Sequence, residues 1–193
     1  DQVDENHYVI RHLTEEPATG WITETLPKGA RLGYDPWLHT KRDVKRWRGA
    51  CEKTGATLAA CEENPIDAVW TDQPPPPVAP VVPHAIEFTG CTSADKRRDL
   101  AQALATGGLD AVVLTASESI AWLLNIRGAD VPRTPLPLSF AILNADASVD
   151  LFIDPRKMAP GLAKHLGDDV RPAPRDAFGP ALDRLGGAGK AVG

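Results

Sequence analysis

Histidines and cysteines are the residues from which a metal site or a nucleophilic centre would be built. The chain has five histidines and three cysteines among 193 residues. His7 and His12 are five positions apart on a predicted strand, so their side chains are expected on opposite faces. The other three, His39, His84 and His165, are far apart in the sequence. This spacing predicts solvated or hydrogen-bonded histidines rather than metal ligands.

The cysteines and glycine-rich stretches also lack a catalytic pattern. Cys51, Cys61 and Cys91 form no CxxC pair and no zinc-finger spacing, and a reducing cytoplasm suits them best. Residues 186–190 (GGAGK) superficially resemble a phosphate-binding loop but lack a hydroxyl residue after the lysine and follow a predicted helix. We therefore predict no catalytic residue and no metal ligand in this chain.

Residues 124–135 form the one polar stretch with distinctive chemistry. They follow a short apolar helix and lead into a strand near Leu138. Gly128 permits an unusual backbone angle, and the prolines stiffen the exit of the loop. Arg127 and Asp130 are three residues apart, and two interpretations remain open. They form an ion pair that braces the loop, or the rigid loop presents them to a peptide terminus or a neighbouring active site.

The overall composition is that of an ordinary globular protein. Hydrophobic residues make up 42% and charged residues 24% of the chain. The net charge of −5 argues against a nucleic-acid-binding surface, and the basic run at residues 41–48 is mixed in charge and typical of a solvated helix face. No apolar run approaches the roughly 20 residues of a membrane span. The acidic start does not resemble a signal peptide, and we expect both ends to be cut edges of a longer protein.

A proline-rich segment predicts a division into two lobes. Residues 72–90 hold six prolines in nineteen residues, four of them consecutive, so neither a helix nor a central strand is expected there. Four consecutive prolines favour a polyproline II spacer. An SH3-type ligand is the alternative, although a position between two folded regions favours the spacer. The predicted division is residues 1–71, a linker at 72–90, and residues 91–193.

Both lobes are predicted to be α/β, with mixed and mostly parallel sheets. In the first lobe, strands are expected at 7–13, 31–34 and 57–61 and helices at 19–26, 40–55 and 65–70. In the second, Thr92 opens a helix that ends at Gly107 and carries Lys96 and Arg97 on a basic face. A strand at 109–115, a helix at 117–124 and a hairpin of 139–144 with 149–154 follow. Helices at 155–166 and 176–185 enclose a weak strand at 169–172.

Four stretches together carry a family resemblance. Residues 118–131 (ESIAWLLNIRGADV) resemble the ESIAWLxNIRGSDV stretch of long, three-domain Xaa-Pro aminopeptidases, with Ala129 in place of the usual serine. Residues 33–40 (GYDPWLHT), 64–72 (NPIDAVWTD) and 140–155 (FAILNADASVDLFIDP) agree with the same family in the same order. The resemblance extends over nearly the whole chain.

The resemblance implies a fold and a division of labour. Residues 1–71 would be the later part of a first creatinase/prolidase N-terminal-like, ribonuclease H-like domain, and residues 91–193 most of a second. The family's catalytic "pita-bread" domain, which binds two divalent metal ions, usually manganese, lies outside the chain. The fragment itself would bind no metal and be inactive. Its implied roles are to control access of peptides with proline at the second position and to support a homodimer in the cytoplasm, with no nucleic-acid or membrane partner.

By analogy with related N-terminal domains, the 124–135 loop would lie near the active-site entrance. This makes Arg127, Asp130 and Asn125 the expected substrate-proximal residues. Two other functions remain open: a peptidase-like binding module without activity, and a creatinase-type C–N hydrolase. The double lobe with its proline strap favours the aminopeptidase.

Overall fold

Two units make up the fold described by the computed structural model, which covers residues 3–193. The first is Asp1–Pro74 and the second is Pro75–Gly193. Each unit has its own buried core, so each is described by itself.

The first unit is a two-stranded parallel sheet with three helices. Its elements are α1 (Ala18–Thr25), β1 (Arg31–Tyr34), α2 (Lys41–Thr54), β2 (Thr57–Ala60) and α3 (Pro65–Val69). Thr40 accepts a hydrogen bond from the Asp43 N–H (3.2 Å) and begins α2, and Gly55, at φ 75°, ends it. Ile22 of α1 and Cys51 of α2 meet in the core. The βαβ unit predicted from the sequence is confirmed here.

The strand predicted at residues 7–13 is wrong. The described chain is turn and irregular structure there, and its apolar side chains, Tyr8, Val9, Ile10 and Leu13, are exposed. A strand needs a neighbour to bond its backbone groups, and the sheet of this unit contains only β1 and β2 among the described residues. The expectation that His7 and His12 point to opposite faces of a strand therefore no longer applies.

The second unit is organised around a four-stranded mixed sheet in the order β4-β6-β7-β8. The strands are β4 (Ala111–Leu114), β6 (Phe140–Asn144), β7 (Val149–Phe152) and β8 (Val170–Ala173). Only β7–β8 is parallel in this sheet, while β4–β6 and β6–β7 are antiparallel. The mixed α/β fold is confirmed, with less parallel pairing than expected because the short 145–148 turn can join only antiparallel strands.

Helices α5 (Ser93–Thr106) and α6 (Ser117–Leu124) supply much of the core of this unit. Thr92 begins α5 as predicted, accepting a hydrogen bond from the Asp95 N–H (3.1 Å). Ile120, Leu123 and Leu124 of α6 face inward as predicted. Burial of each such side chain contributes about 1.5–3 kcal/mol.

Part of the proline-rich segment is regular structure: it contains an edge strand and, contrary to prediction, a short helix. Strand β3 (Val82–Pro83) pairs antiparallel with β5 (Ile126–Arg127), and α4 spans Ile86–Thr89. His84, which follows Pro83 at the end of β3, donates its N–H to the Asn125 carbonyl (2.7 Å). A proline is tolerated in so short an edge ladder because the missing N–H is not required for pairing.

The helix predicted at 155–166 is interrupted. A 3₁₀ turn occupies Pro155–Lys157, and α7 begins only at Leu162, after Gly161 at φ 85°. The second C-terminal helix, α8, spans Phe178–Gly187. Pro160 and Gly161 separate the pieces because proline lacks an N–H and glycine readily adopts positive φ.

Candidate functional site

The loop that connects α6 to β6, residues 125–138, begins at Asn125 in a left-handed conformation (φ 50°, ψ 53°). Asparagine is one of the few residues that adopts this conformation readily. Its Nδ2 donates to the Cys91 carbonyl (2.8 Å), and its Oδ1 accepts from Lys96 Nζ (2.7 Å). The side chain is buried, so Asn125 sets the direction in which the loop leaves α6.

Lys96 is buried at the base of this loop rather than on a basic face of α5. Only 5% of the residue is exposed. Its Nζ donates to the Trp122 carbonyl (2.9 Å) and lies 4.5 Å from the centre of the Trp122 ring. Burial holds the pKa of Lys96 below its ordinary value, with the nearby Cys91 acting in the opposite direction. Arg97 is also buried and donates to the Ala147 carbonyl (2.6 Å), so the predicted basic face is wrong.

Arg127 contacts His84, not Asp130. The β3–β5 pairing brings Arg127 Nη2 within 3.2 Å of His84 Nε2. A guanidinium only donates, so His84 Nε2 is the acceptor and the proton of the neutral ring lies on Nδ1. The imidazole also stacks on Phe88, with ring centres 5.6 Å apart. Arg127 is half-buried and held by this contact.

Asp130 forms a buried ion pair with Lys157. The two side chains are 0% and 4% exposed, and Lys157 Nζ lies 2.6 Å from Asp130 Oδ2. The same oxygen accepts the Leu138 N–H (2.7 Å). The predicted Arg127–Asp130 ion pair is therefore wrong, although Asp130 does brace the loop. Sequence reasoning missed Lys157 because it is 27 residues away, with no local signal that links the two.

Gly128 is required for packing rather than for its backbone angle. Its φ is not positive, unlike that of Gly161 and other glycines of the chain. A Cβ at this position would lie 2.8 Å from both the Cα and the N of Pro137. Hydrogen bonds from the Gly128 N–H to the Pro135 carbonyl (3.2 Å) and from the Asp130 N–H to the Leu136 carbonyl (3.3 Å) join the two arms of the loop.

His39 and His165 have structural contacts. His39 packs edge-on against Trp47 (4.4 Å between ring centres), and His165 Nε2 lies 3.0 Å from the Leu124 carbonyl, to which it donates. Within residues 3–193, no three His, Cys, Asp or Glu side chains are grouped as metal ligands would be. No helix in this part of the chain is long and apolar enough to span a membrane. We therefore derive no metal chemistry from these residues.

A protein-family model described as "Creatinase/Prolidase N-terminal domain" matches residues 72–192, which include the whole 125–138 loop. The chain belongs to this family. The match confirms the creatinase/prolidase N-terminal fold expected from the sequence for the second unit.

Curated relatives of this creatinase/prolidase N-terminal chain support the sequence resemblance. A probable Xaa-Pro aminopeptidase P of Aspergillus niger is 33% identical over 180 residues, which are 92% of this chain and 29% of that protein. An aminopeptidase P1 of Lotus japonicus is 31% identical, with 92% of this chain and 27% of that protein covered. The chain thus spans less than a third of the length of these relatives.

A solved structure is also similar to this chain. It is the X-prolyl aminopeptidase of Caenorhabditis elegans, described as a cytosolic enzyme with a di-nuclear active site. The TM-score is 0.80 at 28% identity, with 89% of this chain and 29% of that chain covered. The resemblance to Xaa-Pro aminopeptidases is confirmed by these matches.

Proposed function

We propose that this chain is the non-catalytic N-terminal portion of a dinuclear-metal aminopeptidase that removes the N-terminal residue preceding proline. The observation that carries the proposal is the structural match to the C. elegans enzyme, with a TM-score of 0.80 over 89% of this chain and only 29% of that one. The metal ions, manganese by our proposal, and the attacking water belong to a separate catalytic domain. The proposed location is the cytoplasm.

The proposed role of the chain is to control substrate access and to support a homodimer. In this scheme residues 1–71 are the later part of a first domain, 72–90 a linker, and 91–193 most of a second. A rigid loop on a buried scaffold suits an access role, because loops positioned by a packed core commonly carry binding residues. The 125–138 loop has such a scaffold in the Asp130–Lys157 pair and in Asn125.

One experiment tests the aminopeptidase assignment and the non-catalytic assignment separately. The 193-residue chain and the longer protein that carries it are each purified and assayed with Mn²⁺ on an Xaa-Pro peptide and on the same peptide with alanine in place of proline. We expect cleavage of the proline peptide by the longer protein alone. Cleavage by the 193-residue chain would overturn the non-catalytic assignment, and an inactive longer protein would overturn the aminopeptidase assignment.

The three loop residues have different proposed roles. Arg127 would lie at the rim of the substrate entrance, whereas the buried Asn125 and Asp130 would be substrate-proximal as supports of the loop. In the longer protein, Arg127→Ala is expected to lower kcat/KM for an Xaa-Pro peptide, while Arg98→Ala, an exposed arginine on α5, leaves it unchanged. An Arg127→Ala enzyme with unchanged kcat/KM would refute the role of Arg127.

A further inference from the structure

The tip of the 125–138 loop is a tight turn that presents one charged residue. The Thr134 N–H donates to the Val131 carbonyl (3.1 Å), and the two residues form an isolated antiparallel bridge. Pro132 and Arg133 are the two central residues of this turn, and Arg133 has a φ of 62°. A proline at the second position and a positive φ at the third position are typical of a type II turn. The third position of such a turn favours glycine or asparagine.

An arginine at this position is held in an unfavourable backbone conformation. Left-handed backbone brings the Cβ of an L-residue too close to its own peptide group, and only glycine and, to a lesser degree, asparagine or aspartate escape this. Arg133 is exposed, so burial of its side chain does not explain the choice. Strained residues held by well-packed surroundings are concentrated at functional sites.

The base of the turn is unusually well fixed. The buried Asp130–Lys157 pair holds one arm, and the contact between Gly128 and Pro137 holds the two arms together. The charged residues nearest to the tip in the sequence are held closer to the base of the loop: Arg127 is half-buried against His84, and Asp130 is paired with Lys157. Arg133 is exposed, so its guanidinium is the charge at the tip of this rigid loop.

We propose that Arg133 binds the C-terminal carboxylate of short peptide substrates and thereby favours them over amidated or longer peptides. The inference rests on the proposed aminopeptidase function, because it needs the catalytic domain that the loop would face. A guanidinium forms two parallel hydrogen bonds with a carboxylate, and a pre-set backbone reduces the entropy lost when they form.

The test uses the longer, Mn²⁺-loaded protein and a tripeptide Xaa-Pro-Xaa in two forms, with a free C-terminus and as the C-terminal amide. Arg133→Gly removes the charge and relieves the backbone, so it is not expected to unfold the loop. We expect KM for the free acid to rise about two- to fivefold, the range for one exposed ion pair. KM for the amide and kcat for both peptides should stay unchanged.

Two further variants make the result specific. Arg133→Lys keeps the charge and should restore part of the preference for the free acid, and Arg98→Ala removes an exposed arginine elsewhere in the same unit and should change nothing. The inference would be overturned if the Arg133→Gly enzyme is active and has the same ratio of KM for the free acid to KM for the amide. The proposed function would still stand in that case. A longer protein that cleaves neither peptide would overturn both.

Discussion

Replacing Asp130 by alanine is expected to destabilise the second unit more than any surface change. The substitution would leave the Lys157 ammonium buried without its partner, since the two side chains are 4% and 0% exposed, respectively, and 2.6 Å apart. It would also leave the Leu138 N–H without its acceptor. Removal of one partner from a buried pair costs about 3–5 kcal/mol, because the remaining charge is uncompensated in a medium of low dielectric.

The assay has to report on the second unit alone. Hydrogen-exchange mass spectrometry of peptides from β6 and β7 does so, since these strands form the centre of its sheet. We expect the free energy of opening in Asp130→Ala to fall by about 3–5 kcal/mol. Lys157→Met should have a comparable effect, and the Asp130→Leu/Lys157→Met double variant should lose much less than the sum, because it leaves no buried charge.

A matched control lies next to Lys157 in the chain. Arg156 is 66% exposed and pairs with Asp154, which is 21% exposed, so Arg156→Ala should lower the free energy of opening of β6 and β7 by less than about 1 kcal/mol. A loss of less than about 1 kcal/mol in Asp130→Ala, as for an exposed pair, or additive effects of the two single substitutions would refute the reasoning.

Two other predictions concern packing and acid stability. Gly128→Ala should lower the free energy of unfolding by about 1–3 kcal/mol in urea denaturation, because its Cβ would lie 2.8 Å from Pro137. A Cβ at Gly179 would meet nothing within 4 Å, so Gly179→Ala should not lower the free energy of unfolding. Equal losses of stability in the two variants would contradict this explanation. The Arg156 side chain and backbone N–H hold the pKa of Asp154 down to about 2, from an ordinary value of 3.8. The stability from this aspartate is therefore complete above about pH 4 and is lost as the pH falls towards 2. The urea midpoint of Asp154→Asn should consequently depend less on pH in this range than that of the unchanged protein. The same pH dependence of the urea midpoint in both proteins would contradict this role of Asp154.

Local features of the fold follow directly from neighbouring residues. Thr40 and Thr92 begin their helices as predicted, and α6 has the predicted bounds, Ser117–Leu124. The β6–β7 hairpin also forms where a four-residue turn separates two apolar runs. Each signal, a cap or an apolar period, is complete within about ten residues of sequence, so no distant partner is needed to interpret it.

Apolar and proline-rich stretches were less predictable because they depend on what lies beside them. Residues 7–13 have strand-forming side chains but no neighbour to pair with in the described chain, and they remain irregular. Pro83 is unfavourable in a strand, yet Val82 and Pro83 lie along β5 and pair with it. Backbone hydrogen bonding, not propensity, decides both cases.

The sequence by itself identified the polar stretch at residues 124–135, its three candidate residues and the family resemblance. Only the tertiary structure decided which charges meet: Asp130 takes Lys157 from 27 residues away, Lys96 turns inward to Asn125, and Arg127 contacts His84. The physical reason is that the energy of an ion pair depends on distance and on exclusion of water. Neither is determined until remote segments have packed together, whereas a helix cap or a tight turn is determined by its immediate neighbours.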